Sequence, residues 1–255
     1  MIERKVRKNK MAYTNSSLVS YTKLSPNHSG QRTHSIDRIT PHCVVGQLSA
    51  ESICGCFTSP SRQASCNYGI GTDGRISLCV EEKNRSWCSS SNTNDQRAIT
   101  IECASDMSEP YAMKDKVYAS LISLCTDICK RNGKKKLLWF GDKNKALNYA
   151  PKSDEMVITV HRWFANKSCP GNWLYARLGD LAAKVTANLG GSTSSTEGTL
   201  YRVQVGAYKS KANADAQLAH VKAAGFDTYM VRIGGVYKIQ VGAYREKTNA
   251  DNMLA

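Results

Sequence analysis

Two side chains of the kind that bind divalent metals lie close together in the sequence. His161 follows an apolar, β-branched run at residues 157–160, and Cys169 comes eight residues later, directly before Pro170. Imidazole nitrogen and thiolate sulfur are both preferred ligands of zinc in proteins. Lys167 lies between them and places a positive charge beside whatever chemistry such a metal would support. This segment therefore predicts part of a metal site.

A third ligand must come from elsewhere in the chain, because a catalytic zinc ion has three protein ligands and one position open to water. Three histidines lie upstream of His161, at positions 28, 34 and 42. His42 belongs to a strand-like run, where a rigid backbone can hold a ligand, whereas His28 and His34 lie in segments without periodicity. His42 is the favoured third ligand, with the other two as alternatives.

The composition is that of a globular protein with an unusually high positive charge. The chain has 255 residues, of which 41% are hydrophobic and 22% charged, and its net charge is +14. Such a charge favours nucleic acid, an anionic membrane surface or an anionic cell-wall polymer as a partner. The excess of Lys and Arg is spread along the chain, which weakens the case for nucleic acid. No apolar run approaches 18 residues, so we expect no membrane span.

Ten cysteines lie between residues 43 and 169. A chain of this length does not need disulfides for stability, and no apolar signal segment follows the basic N-terminus. We therefore expect synthesis in a reducing cytosol, with most thiols free and buried. Cys43 should point to the other side of its strand from His42, and Cys54 and Cys56 should lie outside the site.

Alternating strand and helix patterns predict an α/β domain at residues 30–189, after an N-terminal extension at 1–29. Asp73 and Gly74 stand between two apolar runs and predict a hairpin turn. The predicted strands lie around residues 37–45, 67–70, 75–80, 97–102, 137–140 and 156–160, and the predicted helices follow Ser49 and occupy 112–132 and 174–189.

The order of these motifs resembles the zinc-dependent N-acetylmuramoyl-L-alanine amidases, the superfamily of phage lysozyme-like amidases and peptidoglycan recognition proteins. The resemblance rests on five motifs, namely the strand with His42, residues 67–76, residues 98–102, His161 and residues 167–170. It implies a mixed central sheet flanked by helices, with His42, His161 and Cys169 as zinc ligands and water as the fourth. The zinc would bring the pKa of that water toward ~7 and polarise the scissile carbonyl.

The same resemblance assigns three further residues. Glu102 matches an acidic residue that would act as base toward the water, and Lys167 matches a lysine that would stabilise the oxyanion. Tyr68 matches a tyrosine that some members place beside the metal. Many members have a histidine directly after that tyrosine, where this chain has Gly69. The division of proton transfer between Glu102 and Tyr68 stays open at this point.

A second module follows a Gly-, Ser- and Thr-rich segment at residues 190–199, which is typical of a flexible linker. The run that begins at Tyr201 returns 36 residues later at Tyr237, and most of the following positions match. Each copy reads as a strand followed by a helix, and residues 226–233 supply a strand between them. The pattern predicts a β-α-β-β-α order over residues 200–255.

These repeats resemble a SPOR domain, a small peptidoglycan-binding module with a ferredoxin-like βαββαβ fold. The alternation of a strand predicts that Gln204 and Tyr208 share one face, and amide and phenol groups on a sheet suit sugars. The equivalent positions of the second copy are Gln240 and Tyr244. The sequence stops before a last strand, so we expect an incomplete module, with self-association through it as one way of completing it.

Together these features predict a peptidoglycan hydrolase that cleaves the amide between N-acetylmuramic acid and L-alanine. We expect a phage or prophage endolysin, made in the cytoplasm without a signal peptide and acting on the cell wall after release. A host autolysin of the same chemistry and a non-catalytic peptidoglycan-recognition protein are the alternatives. Nucleic acid is not an expected partner, since the aromatic strand signature of RNA-binding sheets is missing.

Overall fold

The computed structural model describes residues 13–190, 201–224, 226 and 228–244. They fall into two compact units, one ending at residue 190 and the other beginning at residue 201 of the described chain, and each is considered separately. None of the helices described is long and apolar enough to cross a membrane.

The larger unit alternates strands and helices. Its strands are β1 (Val19–Thr22), β2 (His28–Gln31), β3 (Arg38–Cys43), β4 (Tyr68–Ile70), β5 (Ile76–Leu78), β6 (Asn84–Ser86), β7 (Ala98–Cys103), β8 (Lys136–Leu138) and β9 (Glu155–Ile158). Its helices are α1 (Ala50–Gly55), α2 (Asn92–Arg97), α3 (Asp115–Arg131), α4 (Lys143–Asn148), α5 (Gly171–Tyr175) and α6 (Leu178–Asn188), with 3-10 turns at Pro60–Arg62 and His161–Trp163.

Seven of these strands form one mixed sheet in the order β1-β5-β4-β7-β3-β9-β8. The β4–β5 hairpin is antiparallel, as its Asp73–Gly74 turn predicts, and the other neighbouring pairs are parallel. β2 and β6 form a separate antiparallel pair. The mixed sheet flanked by helices confirms the predicted fold class. It also brings the carboxyl ends of β3, β7 and β9 to the same edge, where open α/β sheets bind ligands.

The core lies mainly between the sheet and helices α3 and α6. The apolar positions of α3 recur at helical spacing and are fully buried, as their spacing predicts: Val117, Leu121, Leu124 and Ile128. A smaller apolar cluster forms around α1 on the other face of β4, and it contains a disulfide between Cys54 and Cys79. The remaining eight cysteines are free and five of them are buried, so only the disulfide departs from the expected thiol state.

Two further predictions are corrected in this unit. β1 pairs with β5 at the edge of the sheet, so the residues from 13 onward belong to this unit and not to an extension ending at 29. In this four-residue edge strand half-buried side chains alternate with exposed ones and none is fully buried, so its pattern is weak in sequence. The helix predicted at 174–189 is two helices, α5 and α6, separated at residues 176–177.

The smaller unit has three antiparallel strands and one helix. They are β10 (Tyr201–Tyr208), α7 (Lys211–Ala223), β11 (Thr228–Ile233) and β12 (Val236–Tyr244), with the strands in the order β10-β12-β11. Val203, Val221 and Val241 form its core. This confirms the predicted β-α-β-β order. The predicted second helix and nearly all of the predicted linker lie outside the described residues.

Candidate metal centre

The structure brings the three predicted ligands together. His42, His161 and Cys169 each offer a donor atom, and these atoms lie within 4.8 Å of one another. Cys169 Sγ is 3.2 Å from His42 Nδ1, and the two imidazole rings meet edge to face with centroids 5.1 Å apart. Residues from two distant parts of the sequence therefore form one compact donor set.

The sheet and one folded turn place these side chains. His42 lies near the carboxyl end of β3 and is 1% exposed, and His161 begins the 3-10 turn after β9, the strand beside β3. The turn folds back because the Arg162 amide donates to the Cys169 carbonyl at 3.1 Å. Trp163 stacks on Trp139 with ring centroids 5.2 Å apart and parallel planes, which fixes the start of the turn against the core.

The donor set fits zinc. Two imidazoles and one thiol are typical catalytic zinc ligands and leave one position for water. Burial and the neighbouring His161 lower the pKa of His42, and burial and Lys167 lower the pKa of His161, so both rings are neutral and can bind a cation. A hydrogen bond with Cys43 and burial raise the pKa of Cys169. Binding of a divalent cation would supply the charge that favours its thiolate.

Glu102 faces the donor set from β7, opposite His42 in the parallel register. Its Oε1 lies 4.0 Å from His42 Nδ1 and accepts a long hydrogen bond from Cys88 Sγ at 3.7 Å. Its buried Oε2 has no hydrogen-bond partner among the described residues. Burial raises the pKa of Glu102 to about 7, against the opposing effects of the Cys88 hydrogen bond and the charge of Arg62. Such a carboxyl group can accept or release a proton at neutral pH.

A cavity of about 770 Å³ opens beside these residues. Its lining includes all three candidate ligands, Glu102 and the exposed Lys167, whose charge is felt by His161. Five of the six residues predicted for the catalytic site therefore lie on one wall.

Tyr68, the sixth, does not lie in the site, which corrects its predicted role. Side chains alternate along β4, and Tyr68 enters the core on the α3 side, where its hydroxyl donates to Glu82 Oε1 at 2.5 Å. Gly69 is the residue of β4 that faces Glu102. Helix α1 leaves no room for a side chain there, since a Cβ on Gly69 would lie 2.6 Å from Ile53 Cγ2.

Several cysteines come closer to the site than the sequence predicts. Cys88 forms a second donor group with His42 and Glu102, and Cys56, which was expected outside the site, lines the cavity. Cys43 is not a donor in either group and packs in the main core cluster, as its alternation with His42 predicts, although it also contacts Cys169 and borders the cavity. Ser90 was also missed, and it lies 3.0 Å from His161 Nε2. No motif in the sequence marks these four residues.

The predicted glycan-binding residues of the smaller unit divide between two faces. Gln204 pairs directly with Gln240, and Tyr208 pairs with Tyr237. Residues 237 and 240 lie three apart on a regular strand, so Gln204 and Tyr208 face opposite sides. A register shift between Gln204 and Gly206 causes this, because a bulge reverses the alternation. The prediction of a shared face is therefore wrong, and the side chain of Tyr244 lies outside the described residues.

Fold and site together define a mixed α/β protein with a His–His–Cys donor set at the carboxyl ends of its parallel strands. The family model of N-acetylmuramoyl-L-alanine amidase matches residues 32–172, more than half of the chain. The chain therefore belongs to that amidase family. A SPOR domain model matches residues 172–232, a range that begins in the last helices of the larger unit and ends within β11.

Several solved structures are similar to parts of this chain. An AmpD derivative is 18% identical, with 68% of this chain and 98% of that chain covered and a TM-score of 0.48. A mutant endolysin from Bacillus subtilis is 16% identical, with 65% and 97% covered and a TM-score of 0.46. The peptidoglycan-binding domain of the B. subtilis lytic enzyme CwlC is 49% identical over 21% of this chain and 67% of its own, with a TM-score of 0.20. No curated protein sequence matches the chain.

Proposed function

We propose that this protein hydrolyses the amide bond between N-acetylmuramic acid and L-alanine in peptidoglycan, with zinc held by His42, His161 and Cys169. Membership of the amidase family supports the choice of bond. The observation that carries the proposal is the convergence of these three donors in one cavity beside Glu102, whose buried Oε2 has no described hydrogen-bond partner.

The proposed chemistry needs a nucleophile, a proton carrier and a stabilising charge. Zinc, when bound, would supply a Lewis acid for the carbonyl and make water nucleophilic at neutral pH. Glu102 takes a proton from the attacking water and delivers it to the departing L-alanine nitrogen, a role that suits a pKa of about 7. Lys167, at the cavity edge, stabilises the negative charge that develops on the carbonyl oxygen. The products are a muramic acid carboxylate and a free amine.

The charge of the cavity edge suits an anionic peptide. Arg62 and Lys167 are both exposed there, and no described carboxylate lies within ion-pair distance of either. Peptide carboxylates of the stem could therefore bind at this edge without displacing an internal partner. In this arrangement the neutral scissile amide of the substrate would lie at the donor set, and the charged groups of the substrate would lie at the cavity edge.

The SPOR-like unit would hold peptidoglycan and raise the local concentration of the catalytic unit on the wall. Gln204 and Gln240, directly opposite each other on adjacent strands, offer paired amide groups to sugar hydroxyls. We propose that the protein is a phage or prophage endolysin, made in the cytoplasm and acting on the wall after release. A host autolysin would use the same residues.

Digestion of purified peptidoglycan by the zinc-loaded full chain tests the proposal. We expect new free amines with L-alanine as the released N-terminal residue, no new reducing sugar ends, and loss of turnover after chelation. Cys169→Ser should remove turnover while wall binding survives, because a thiol ligand is lost.

Cys56→Ser is the matched control, since it changes a thiol of the same cavity that lies outside both donor groups. It should leave turnover unchanged. New reducing ends, or full turnover by Cys169→Ser, would contradict the proposed reaction.

A further inference from the structure

Ser90 contacts His161, a candidate ligand that lies in a 3-10 turn and not in a regular strand. Its Oγ is 3.0 Å from Nε2 of His161. An imidazole that uses Nε2–H for a hydrogen bond leaves Nδ1 with a free lone pair, and the outer partner of a metal-binding histidine sets which nitrogen is available. We propose that Ser90 is a positioning residue that fixes the ring and tautomer of His161 for metal binding; this inference rests on the proposed zinc site.

The backbone of Ser90 supports this role. Its φ is 60°, in the left-handed region that a residue with a side chain rarely adopts. Such a conformation is strained and persists only where its surroundings impose it. Ser90 also directly precedes Ser91, the N-cap of α2, whose hydroxyl accepts from the Asn94 amide at 3.3 Å. The loop is therefore held in this shape at its helical end.

Asp95, in α2, holds the two residues that precede Ser90 in place. This carboxylate is 3% exposed and accepts hydrogen bonds from the Cys88 amide at 3.0 Å, the Ser89 amide at 3.2 Å and the Ser89 hydroxyl at 2.6 Å. Asn94 Nδ2 also donates to the Ser89 hydroxyl at 3.2 Å. These hydrogen bonds hold residues 88 and 89 against α2. They thereby place the next residue, Ser90, beside His161.

The same loop reaches both functional groups of the site. Cys88 donates to Glu102 Oε1, and Ser90, two residues later, contacts His161. The segment 88–90, which Asp95 holds in place, thus contacts both the proposed proton carrier and a proposed ligand. Fixing the outer nitrogen of a ligand in this way is commonly worth 10–100-fold in metal affinity.

Ser90→Gly tests the proposal in the full chain. Glycine accepts a φ of 60° without strain, so the loop should keep its shape while the hydroxyl is lost. We expect zinc affinity, measured by competition with a chelating dye, to fall by about 10–100-fold. Ser90→Asn should restore part of the affinity, because Asn tolerates this backbone region and keeps an acceptor.

Val45→Gly is the matched control. Val45 has the same φ of 60° and is exposed, but it does not line the cavity. Both glycine variants relieve backbone strain, and only Ser90→Gly removes a contact of His161. Zinc affinity of Val45→Gly should equal that of the wild type. Equal affinity in Ser90→Gly as well would overturn the role of Ser90.

Nitrogen NMR of the zinc-loaded protein gives a second readout. The proposal expects Nε2 of His161 to carry the proton and Nδ1 to bind the metal, and the reverse assignment would overturn it. A wild-type chain that binds no zinc would instead overturn the metal centre of the proposed function. The two failures are therefore distinguishable.

Discussion

Two glutamates on opposite sides of the same sheet, one buried and one mostly buried, show how differently one residue type is used. Glu82 lies on the α3 side and is 1% exposed, and its carboxylate accepts from Arg131 at 2.6 and 2.9 Å and from the Tyr68 hydroxyl at 2.5 Å. Glu102 lies on the cavity side, where one oxygen has no described partner and the nearest basic group is the neutral His42. Burial without an ion-pair partner raises the pKa of Glu102 to about 7, although the charge of Arg62 opposes the shift.

The contrast separates stability from chemistry. A buried carboxylate with all its hydrogen bonds made holds elements together, and removing it leaves its cation unpaired. A buried carboxyl group without a cation costs free energy when it ionises, and such groups occur where a reaction requires them. We therefore expect changes on the two sides to affect different measurements.

Glu82→Gln should produce the largest effect on folding. It removes the more buried of the two carboxylate partners of Arg131, and because Asp127 remains we expect a cost at the lower end of the about 3–5 kcal/mol for breaking a buried pair. Chemical denaturation should show this loss, while turnover per folded molecule stays unchanged. A selective loss of turnover would mean that the α3 side takes part in catalysis and would break the comparison.

Glu102→Gln should show the opposite behaviour. Turnover on a soluble muropeptide should fall by at least ~100-fold, the usual contribution of a general base. The free energy of unfolding at pH 7 should not fall, because no cation loses a partner. Glu82→Gln is the matched control, because it makes the same carboxylate-to-amide change on the other side of the sheet. Full activity of Glu102→Gln would remove Glu102 from the mechanism.

The pH dependence of stability sharpens the same contrast in metal-free protein. The pKa of Glu102 is about 7 when folded and 4.5 ordinarily. Between these values the folded chain keeps a proton that the unfolded chain has released, so stability falls as pH rises, by at most ~1.4 kcal/mol per unit. Urea unfolding from pH 4.5 to 7.5 should show this slope in the wild type relative to Glu102→Gln. An identical slope in both chains would contradict the raised pKa.

Tyr68→Phe should have the smallest effect. It removes one hydroxyl that donates to Glu82, at a cost of about 1 kcal/mol in the free energy of unfolding. Turnover should remain that of the wild type, as measured with the same muropeptide. A collapse of turnover in a folded Tyr68→Phe protein would return this tyrosine to the site and contradict its position on the α3 side.

Residue type and strand position favoured His42 as the third ligand but left His28 and His34 open, and the family resemblance selected the full donor set. His42 lies near the end of β3 and His161 follows β9, and these strands are parallel neighbours. The apolar runs before the two histidines therefore indicate that both lie at the carboxyl ends of strands. Glu102 and Lys167 needed the family resemblance, because a glutamate at a strand end and a surface lysine are common. Nothing in the sequence distinguishes Glu82 from Glu102, since their partners lie in distant segments.

The predictions that failed depended on details that spacing does not carry. Which of Tyr68 and Gly69 faces the site depends on the pleat of β4 and on the close approach of α1. One bulge in β10 moved Tyr208 to the face opposite Gln204. Ser90 reaches His161 only because Asp95 folds the preceding residues onto α2. Each outcome is decided by contacts between elements rather than by the pattern within one.

The stacked Trp139 and Trp163 give the larger unit an intrinsic spectroscopic probe. Trp163 lies two residues after His161, and Trp139 also meets the edge of Tyr175, in the helix that follows Cys169. Parallel indoles at this separation share their excited state, so their emission and near-ultraviolet circular dichroism depend on how closely they stack. Ordering or loosening of the turn that carries His161 would therefore change the tryptophan emission and the near-ultraviolet circular dichroism without any added dye.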